Sequence, residues 1–176
     1  MKRFVFLDRD GTLVRDEGYT HRIADYALLP GVVDGLRRLE AAGFGLAIVT
    51  NQSGIARGYY GEGEYAAFQE HLVADLSRQG VRLSGSFHCP HLPDAGCDCR
   101  KPAPGLLLQA RDALGAELSE SWVVGDKACD GDAAIRAGCR GAVLLGDPKD
   151  AAPEALRAAD FAEAVEKLLA HEATRG

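Results

Sequence analysis

Hydrophobic and polar positions alternate along the 176-residue chain in a pattern of strand-sized apolar runs and helical stripes. The apolar runs predict strands at Phe4–Leu7, Gly45–Val49, Ser86–His88, Trp122–Val124 and Ala142–Leu145. Apolar residues three and four apart predict helices from Pro30 to Gly43 and at Glu62–Gln79, Pro104–Leu114, Asp132–Ala137, Pro153–Ala158 and Ala162–Ala170. Because strands and helices follow one another repeatedly, we expect an α/β fold, a doubly wound parallel sheet with helices on both faces.

Length, composition and charge narrow the class of protein. A chain of 176 residues with 47% hydrophobic residues is typical of one globular domain, which we expect to span residues 1–176. The net charge of −6 argues against a nucleic-acid surface or a basic membrane-binding patch. Every apolar run is strand-sized, and the first ends at Asp8, too early for a signal peptide. We therefore expect a cytoplasmic protein and, since nothing in the sequence resembles a large interface, a monomer.

Two carboxylates directly follow the first predicted strand. Asp8 and Asp10 are two residues apart, so their side chains share a face of an extended segment. The carboxyl edge of a parallel sheet is where open α/β folds bind their ligands. Two carboxylates so close together repel each other unless a cation or a shared proton relieves them. The alternative is a strand that ends in an ordinary Asp-Gly turn without chemistry.

Polar residues also follow two other predicted strands, which favours the chemical interpretation. Thr50 ends the second strand, and its hydroxyl, with the small polar residues behind it, is suited to bind an anion. Asp126 follows the fourth strand beside Lys127, a pairing that a divalent cation and a phosphoryl group together require. Arg100 and Lys101 add two cations before a predicted helix, although a solvated surface pair looks the same in a sequence.

Four soft metal ligands lie between residues 89 and 99. Cys89 and His91 are two residues apart, as are Cys97 and Cys99, so two extended arms direct two ligands each toward one point. Three thiolates and an imidazole form a structural zinc site, because four protein ligands leave no open position on the metal. We therefore expect a Zn²⁺-binding loop insertion over residues 89–99; four reduced structural side chains are the alternative. The remaining cysteines, at positions 129 and 139, are expected to be small buried residues.

These motifs, in this order, resemble those of the haloacid dehalogenase (HAD) phosphatase superfamily. The resemblance rests on Asp8-Arg9-Asp10-Gly11-Thr12, Thr50, Lys101 and Gly125-Asp126-Lys127-x-x-Asp130. It implies that Asp8 is the nucleophile and forms an aspartyl phosphate, and that Asp10 protonates the leaving oxygen and later activates water. It also implies that Thr50 and Lys101 stabilise the phosphoryl group. Catalytic Mg²⁺ is implied on Asp8, Asp126 and the backbone carbonyl of Asp10.

A zinc loop that runs directly into Arg100-Lys101-Pro102 is similar to the branch that contains histidinol-phosphate and heptose-bisphosphate phosphatases. The similarity extends from Phe4 to about Leu145, and residues 16–21 and 50–58 favour the heptose side. The reaction implied there is hydrolysis of the 7-phosphate of D-glycero-D-manno-heptose 1,7-bisphosphate, on the way to nucleotide-activated heptose and lipopolysaccharide or other surface glycans.

Two alternatives stay open. The short stretch between His91 and Cys97 matches the histidinol-phosphate side, so a histidinol-phosphate phosphatase is one alternative. The other is a zinc-stabilised binding module without catalysis. Such a module is expected to lack at least one of the acidic or basic catalytic residues, and this chain has all of them: Asp8, Asp10, Lys101 and Asp126.

The loops behind the first and second strands are too short to form a large cap domain, so we expect an open site whose specificity depends on short loops. The resemblance implies that these loops contact the sugar or its second phosphate through Asp16, Glu17, Gly18, Tyr19, Asn51, Gln52, Ser53, Arg100 and Lys127. Arg100 suits this role because its planar guanidinium matches the geometry of phosphate oxygens.

Overall fold

Six strands and five helices make up residues 2–174, the part of the chain that the computed structural model describes. In chain order they are β1 (Phe4–Leu7), α1 (Val32–Ala41), β2 (Gly45–Asn51), α2 (Glu62–Arg78), β3 (Leu83–Cys89), α3 (Gly105–Leu114), β4 (Trp122–Gly125), α4 (Ala128–Ala137), β5 (Gly141–Leu145), β6 (Leu156–Ala158) and α5 (Phe161–Ala173). Short 3₁₀ turns occur at Ile23–Asp25 and Leu118–Glu120. Residues 1, 175 and 176 of the predicted domain lie outside the described residues.

All six strands pair in parallel in one sheet, in the order β3-β2-β1-β4-β5-β6. Leu7 at the end of β1 pairs with Ile48 of β2 and with Val124 of β4. The carboxyl ends of these three strands therefore lie side by side at one edge of the sheet. The chain moves outward from β1 to β3 and then returns to the other side of β1, which makes this edge a topological switch point. The predicted doubly wound fold is confirmed.

Both faces of the sheet are covered by helices. Along β1, Val5 and Leu7 face one hydrophobic cluster, whereas Phe4 and Phe6 face another. Helices α1, α2 and α5 pack on the first face, through residues that include Leu36, Phe68 and Val165. Helices α3 and α4 pack on the second face, through residues that include Leu107 and Ala133. Each large apolar side chain buried in this way contributes about 1.5–3 kcal/mol, so the sheet is a stable platform for the residues at its edge.

The predicted helix at Pro153–Ala158 is wrong, because the structure has strand β6 over Leu156–Ala158. The sequence of this segment favours a helix, but six residues are too few to hold one without tertiary support. Leu156 instead pairs with Val143 of β5, and the sheet gains an edge strand. Helix α4 also begins at Ala128, earlier than predicted, since the backbone N–H of Lys127 donates to the Asp130 carboxylate at 3.0 Å.

The segments behind β1 and β2 are loops, as predicted. Residues 8–31 contain turns, isolated β-bridges and one short 3₁₀ turn, and residues 52–61 contain turns. In the range 2–174 the sheet edge therefore carries no large cap domain. The described helices include none with the length and apolar character needed to cross a membrane.

Candidate active site

Five predicted residues converge at the carboxyl ends of β1, β2 and β4, and we call this group the catalytic floor: Asp8, Asp10, Thr50, Lys101 and Asp126. The backbone N–H of Asp8 donates to the Val124 carbonyl at 2.9 Å, which fixes the end of β1 against β4. Gly11 allows the close approach of the loops. Its φ is +78°, and a Cβ atom there would lie 2.4 Å from Asp126 Oδ2. A side chain at Gly11 would therefore displace Asp126.

Lys101 is the buried cation of the catalytic floor. Its ammonium group donates to Asp8 Oδ1 at 2.8 Å, to Asp130 Oδ1 at 2.6 Å and to the Val49 carbonyl at 2.7 Å. These contacts use all three ammonium protons. Burial favours the neutral amine, but the charges of Asp130 and Asp8 hold the pKa of Lys101 above its usual value. Lys101 is thus a permanent positive charge beside the Asp8 carboxylate.

The carboxylates of Asp8, Asp126 and Asp130 lie close enough to hold one cation, with an oxygen of each within 4.8 Å of the others. Both carboxylate oxygens of Asp130 already accept a hydrogen bond, one from Lys101 and one from the Lys127 backbone N–H. Asp126 Oδ1 is buried and has no hydrogen-bond partner among residues 2–174. Burial, with the charge of Asp8, raises the pKa of Asp126 to about 7. A cation here would relieve both effects, so Asp8 and Asp126 fit an oxygen-liganded Mg²⁺.

The Asp10 carboxylate accepts hydrogen bonds from buried side chains. Arg9, which is completely buried, donates from Nε to Asp10 Oδ1 at 3.0 Å and from Nη2 to Oδ2 at 2.9 Å. Gln52 Nε2 donates to Asp10 Oδ2 at 2.8 Å and to Thr50 Oγ1 at 2.9 Å. Burial raises the pKa of Asp10 above its usual value, Arg9 opposes this shift, and the charge of Asp8 adds to it. A raised pKa suits a carboxyl group that must both give and take a proton.

A cavity of about 590 Å³ opens above the catalytic floor. Most residues that the sequence assigned to substrate binding line it: Asp16, Gly18, Tyr19, Asn51, Gln52, Ser53, Arg100 and Lys127. Glu17 instead lines a neighbouring surface pocket, so the structure does not bring it to this cavity. Gln52 reaches the cavity but is only 2% exposed, and its amide is engaged by other side chains. Lys127 Nζ lies 3.7 Å from Asp16 and 4.0 Å from Asp126, between the cavity wall and the floor.

Aromatic residues and a cation stand at one side of the cavity mouth. Tyr19 has φ +55° and is 42% exposed, and its ring meets that of Tyr59 edge-on with centroids 4.8 Å apart. The Arg57 guanidinium lies 5.9 Å from the Tyr19 ring centroid, within the range of a cation–π contact. These contacts hold Tyr19 in place at the cavity wall.

The predicted zinc ligands form a compact group at the end of β3. The Cys89 sulfur lies 3.7 Å from that of Cys97 and 3.2 Å from that of Cys99, and the last two sulfurs are 3.5 Å apart. His91 Nδ1 lies 3.5 Å from the Cys89 sulfur and 3.2 Å from that of Cys99. Tetrahedral ligands at zinc bond lengths of about 2.3 Å have edges of about 3.8 Å, and the observed separations of 3.2–3.7 Å are slightly shorter. The donor set and its geometry therefore fit Zn²⁺.

The loop that carries these four residues also forms one wall of the cavity, through Pro93, Gly96 and Cys97. Arg100 follows the last ligand, and its Nη1 donates to the His91 carbonyl at 3.3 Å. Gly105 anchors the far end of the loop, because its N–H donates to the Asp98 carbonyl at 2.9 Å. The Cys/His group therefore lies directly before the segment that carries Arg100 and Lys101.

Three residues of the site were not assigned a role from the sequence. Asp130 holds Lys101 and caps α4, and the Asp-x-x-x-Asp spacing from Asp126 was the available signal. Tyr60 donates to Gln52 Oε1 at 2.6 Å, and no local pattern marks it. Cys129, expected to be simply buried, is partly exposed and lines the cavity. Burial raises the pKa of the Cys129 thiol to about 11, so it remains protonated near neutral pH.

Comparison with known proteins agrees with this geometry. The HAD-hydrolase-like family model matches residues 98–169. The chain is 44% identical over 164 residues to D-glycero-beta-D-manno-heptose-1,7-bisphosphate 7-phosphatase of Escherichia coli K12, covering 89% of this chain and 86% of the relative. It is 40% identical to the Pasteurella multocida enzyme of the same name, covering 92% of this chain and 91% of the relative.

The fold is also similar to a solved structure. The crystal structure of D,D-heptose 1,7-bisphosphate phosphatase from B. bronchiseptica, complexed with magnesium and phosphate, gives a TM-score of 0.86 at 30% identity. The match covers 97% of this chain and 99% of that one. The chain therefore belongs to the HAD phosphatase family, in the branch of the D-glycero-beta-D-manno-heptose-1,7-bisphosphate 7-phosphatases.

Proposed function

We propose that this protein is a Mg²⁺-dependent phosphatase that removes the 7-phosphate of D-glycero-D-manno-heptose 1,7-bisphosphate and leaves the 1-phosphate. The observation that carries the proposal is the adjacency of Arg100 and Lys101. Lys101 enters the catalytic floor beside Asp8, whereas Arg100 lines the open cavity. One short segment therefore serves two anionic positions, as a bisphosphate requires. The β anomer is the expected substrate because it is the one named for the relatives.

In the first step, Asp8 attacks the phosphorus atom and the bond to the sugar oxygen breaks, giving an aspartyl phosphate. Asp10 donates its proton to the departing oxygen. In the second step, Asp10 takes a proton from water, which attacks phosphorus, and the bond to Asp8 breaks to release phosphate. Lys101 and Thr50 neutralise and orient the transferring group. Mg²⁺ held by Asp8, Asp126 and the Asp10 carbonyl would supply further charge neutralisation.

The substrate can be tested by phosphate release from both anomers of heptose 1,7-bisphosphate and from histidinol phosphate. We expect the heptose β anomer to be turned over with the highest kcat/KM, and activity to disappear when EDTA removes Mg²⁺ and to return when Mg²⁺ is restored. The histidinol-phosphate alternative is not favoured, since the curated relatives reported above are heptose phosphatases. A preference for histidinol phosphate would contradict the proposed substrate.

We propose that Arg100 binds the distal phosphate. Arg100→Ala should lower kcat/KM for the bisphosphate much more than for a sugar monophosphate, which has no second phosphate to bind. Loss of a charge-assisted contact of about 1.5–3 kcal/mol corresponds to about a ten- to hundredfold decrease. Steady-state kinetics of both substrates measure this difference. Arg111→Ala, on the exposed surface of α3, is the matched control. Equal losses for both substrates would exclude this role for Arg100.

We also propose that Cys89, His91, Cys97 and Cys99 bind one structural Zn²⁺ per chain. Elemental analysis of untagged protein should find about one zinc per chain, the stoichiometry of one Cys₃His site. Cys97→Ser should lower zinc content and the melting temperature, because the cavity wall and the Arg100 segment lose their support. Cys139→Ser lies outside the cluster and should leave zinc content unchanged. Purified protein free of zinc and other thiophilic metals would refute the assignment.

A further inference from the structure

We propose that Arg9 and Gln52 are positioning residues: they hold the Asp10 carboxyl and the Thr50 hydroxyl for the reaction and do not touch the substrate. This inference rests on the proposed function, because it takes Asp10 as the general acid and base. It replaces the expectation that Gln52 contacts the sugar, and it gives a role to a buried arginine inside the Asp8-Arg9-Asp10 segment.

Arg9 binds the Asp10 carboxylate and does not line the cavity. It is completely buried, and its guanidinium lies 4.6 Å from the centroid of the Phe68 ring. Besides the paired contacts with the Asp10 carboxylate, Nη2 donates to the Thr20 carbonyl at 2.5 Å and to Gln52 Oε1 at 3.2 Å. A planar guanidinium that engages both carboxylate oxygens fixes the orientation of the carboxylate plane. Arg9 therefore fixes the orientation of the Asp10 carboxylate.

The orientation of the Gln52 amide follows from its donors. The Tyr60 hydroxyl contacts Gln52 Oε1 at 2.6 Å, and burial raises the pKa of Tyr60 to about 12, so this hydroxyl carries its proton. Arg9 Nη2 contacts the same oxygen and is also only a donor. Both donors require an acceptor, which places the amide oxygen toward them. The amide nitrogen must then face Asp10 Oδ2 and Thr50 Oγ1, to which it donates.

Two consequences follow for the reacting groups. Asp10 Oδ2 accepts from Arg9 Nη2 and Gln52 Nε2, and Oδ1 accepts from Arg9 Nε and also lies 2.9 Å from Nη2. Both carboxylate oxygens are therefore held by donors of the protein, which fixes the orientation of the Asp10 carboxyl group. Thr50 Oγ1 accepts from Gln52, so its own proton is free to be donated to a phosphoryl oxygen. Gln52 therefore orients the Asp10 carboxyl group and the Thr50 hydroxyl together.

Leaving-group dependence separates this role from a purely structural one. A sugar oxygen needs a proton as it departs, whereas para-nitrophenolate leaves as a stable anion without one. Because kcat/KM covers the steps through release of the leaving group, the ratio of kcat/KM for the sugar bisphosphate to that for para-nitrophenyl phosphate reports proton donation by Asp10. General misfolding lowers both values together and leaves the ratio unchanged.

The variants Arg9→Met and Gln52→Met remove the polar contacts. Gln52→Met keeps a side chain of similar length, whereas Arg9→Met keeps only the apolar stem. Each should lower this ratio by about tenfold or more, toward the value for Asp10→Asn, since a positioned acid contributes about 10²–10⁴-fold. Tyr60→Phe, which removes one hydroxyl and keeps the aromatic ring, should lower the ratio by a smaller factor. Arg22→Met, on an exposed loop, should change neither rate. Thr50→Val should slow both substrates without changing the ratio, because both carry the same phosphoryl group.

The outcomes are distinguishable. A lowered ratio in Asp10→Asn and in folded Arg9→Met or Gln52→Met supports the proposal. A lowered ratio in Asp10→Asn alone, with unchanged ratios in Arg9→Met, Gln52→Met and Tyr60→Phe, would overturn it and leave the proposed mechanism standing. An unchanged ratio in Asp10→Asn would overturn both, since Asp10 would then not be the acid that Arg9 and Gln52 serve.

Discussion

Asp8→Asn is expected to abolish turnover, with kcat lowered by at least about 10⁴-fold, the scale of losses when a nucleophile is removed. The amide keeps the shape of the carboxylate and can still accept from Lys101, but it cannot attack phosphorus. Folding should be retained, because the substitution removes one negative charge from the crowded pair that Asp8 forms with Asp126. Phosphate release and a thermal melt, measured on the same preparation, test the two expectations.

Asp34→Asn is the matched control for this variant, because it makes the same change on the exposed surface of α1. It should leave both turnover and melting temperature at wild-type values. Substantial hydrolysis by purified Asp8→Asn, above what trace wild-type enzyme supplies, would remove Asp8 from the role of nucleophile and with it the aspartyl phosphate.

The residues predicted best from the sequence are those whose signal is local. Asp8 and Asp10 directly follow a continuous apolar run, and a buried parallel strand has that composition. The predicted zinc ligands are recognisable from two short spacings, Cys89 with His91 and Cys97 with Cys99, and the structure brings the four side chains together. In both cases a few neighbouring residues carry the information.

Contacts between distant parts of the chain could not be predicted in this way. Arg9 looks like any loop cation in the sequence, yet it is buried because Gln52, in the loop after β2, and Phe68, in α2, reach it. Strand β6 forms because β5 offers an open edge, whereas its own residues favour a helix. Tyr60 and Glu17 illustrate the same limit. Only the fold brings Tyr60 to the Gln52 amide, and only the fold directs Glu17 away from the cavity.

Lys101→Met should lower both activity and stability, because Lys101 neutralises buried carboxylates as well as the transferring phosphoryl group. The variant keeps the apolar stem but leaves Asp8 and Asp130 buried without their cation. Breaking a buried ion pair by removing one partner costs about 3–5 kcal/mol of the free energy of unfolding. We expect kcat/KM to fall by about 10²–10³-fold for monophosphates and bisphosphates alike, since both present the same scissile group. Urea unfolding and steady-state kinetics measure the two losses.

The double variant Lys101→Met/Asp130→Asn separates these two effects. The amide oxygen introduced at position 130 can still accept from the Lys127 backbone N–H, so the cap of α4 is kept. The substitution also removes one uncompensated buried charge. Stability should therefore recover in large part, whereas activity should not, because no positive charge has been returned to the side of Asp8 that Lys101 occupied. If turnover recovers together with stability, Lys101 serves the fold alone and the phosphoryl group is neutralised by other residues. If neither recovers, the loss of stability does not arise from the buried charge of Asp130.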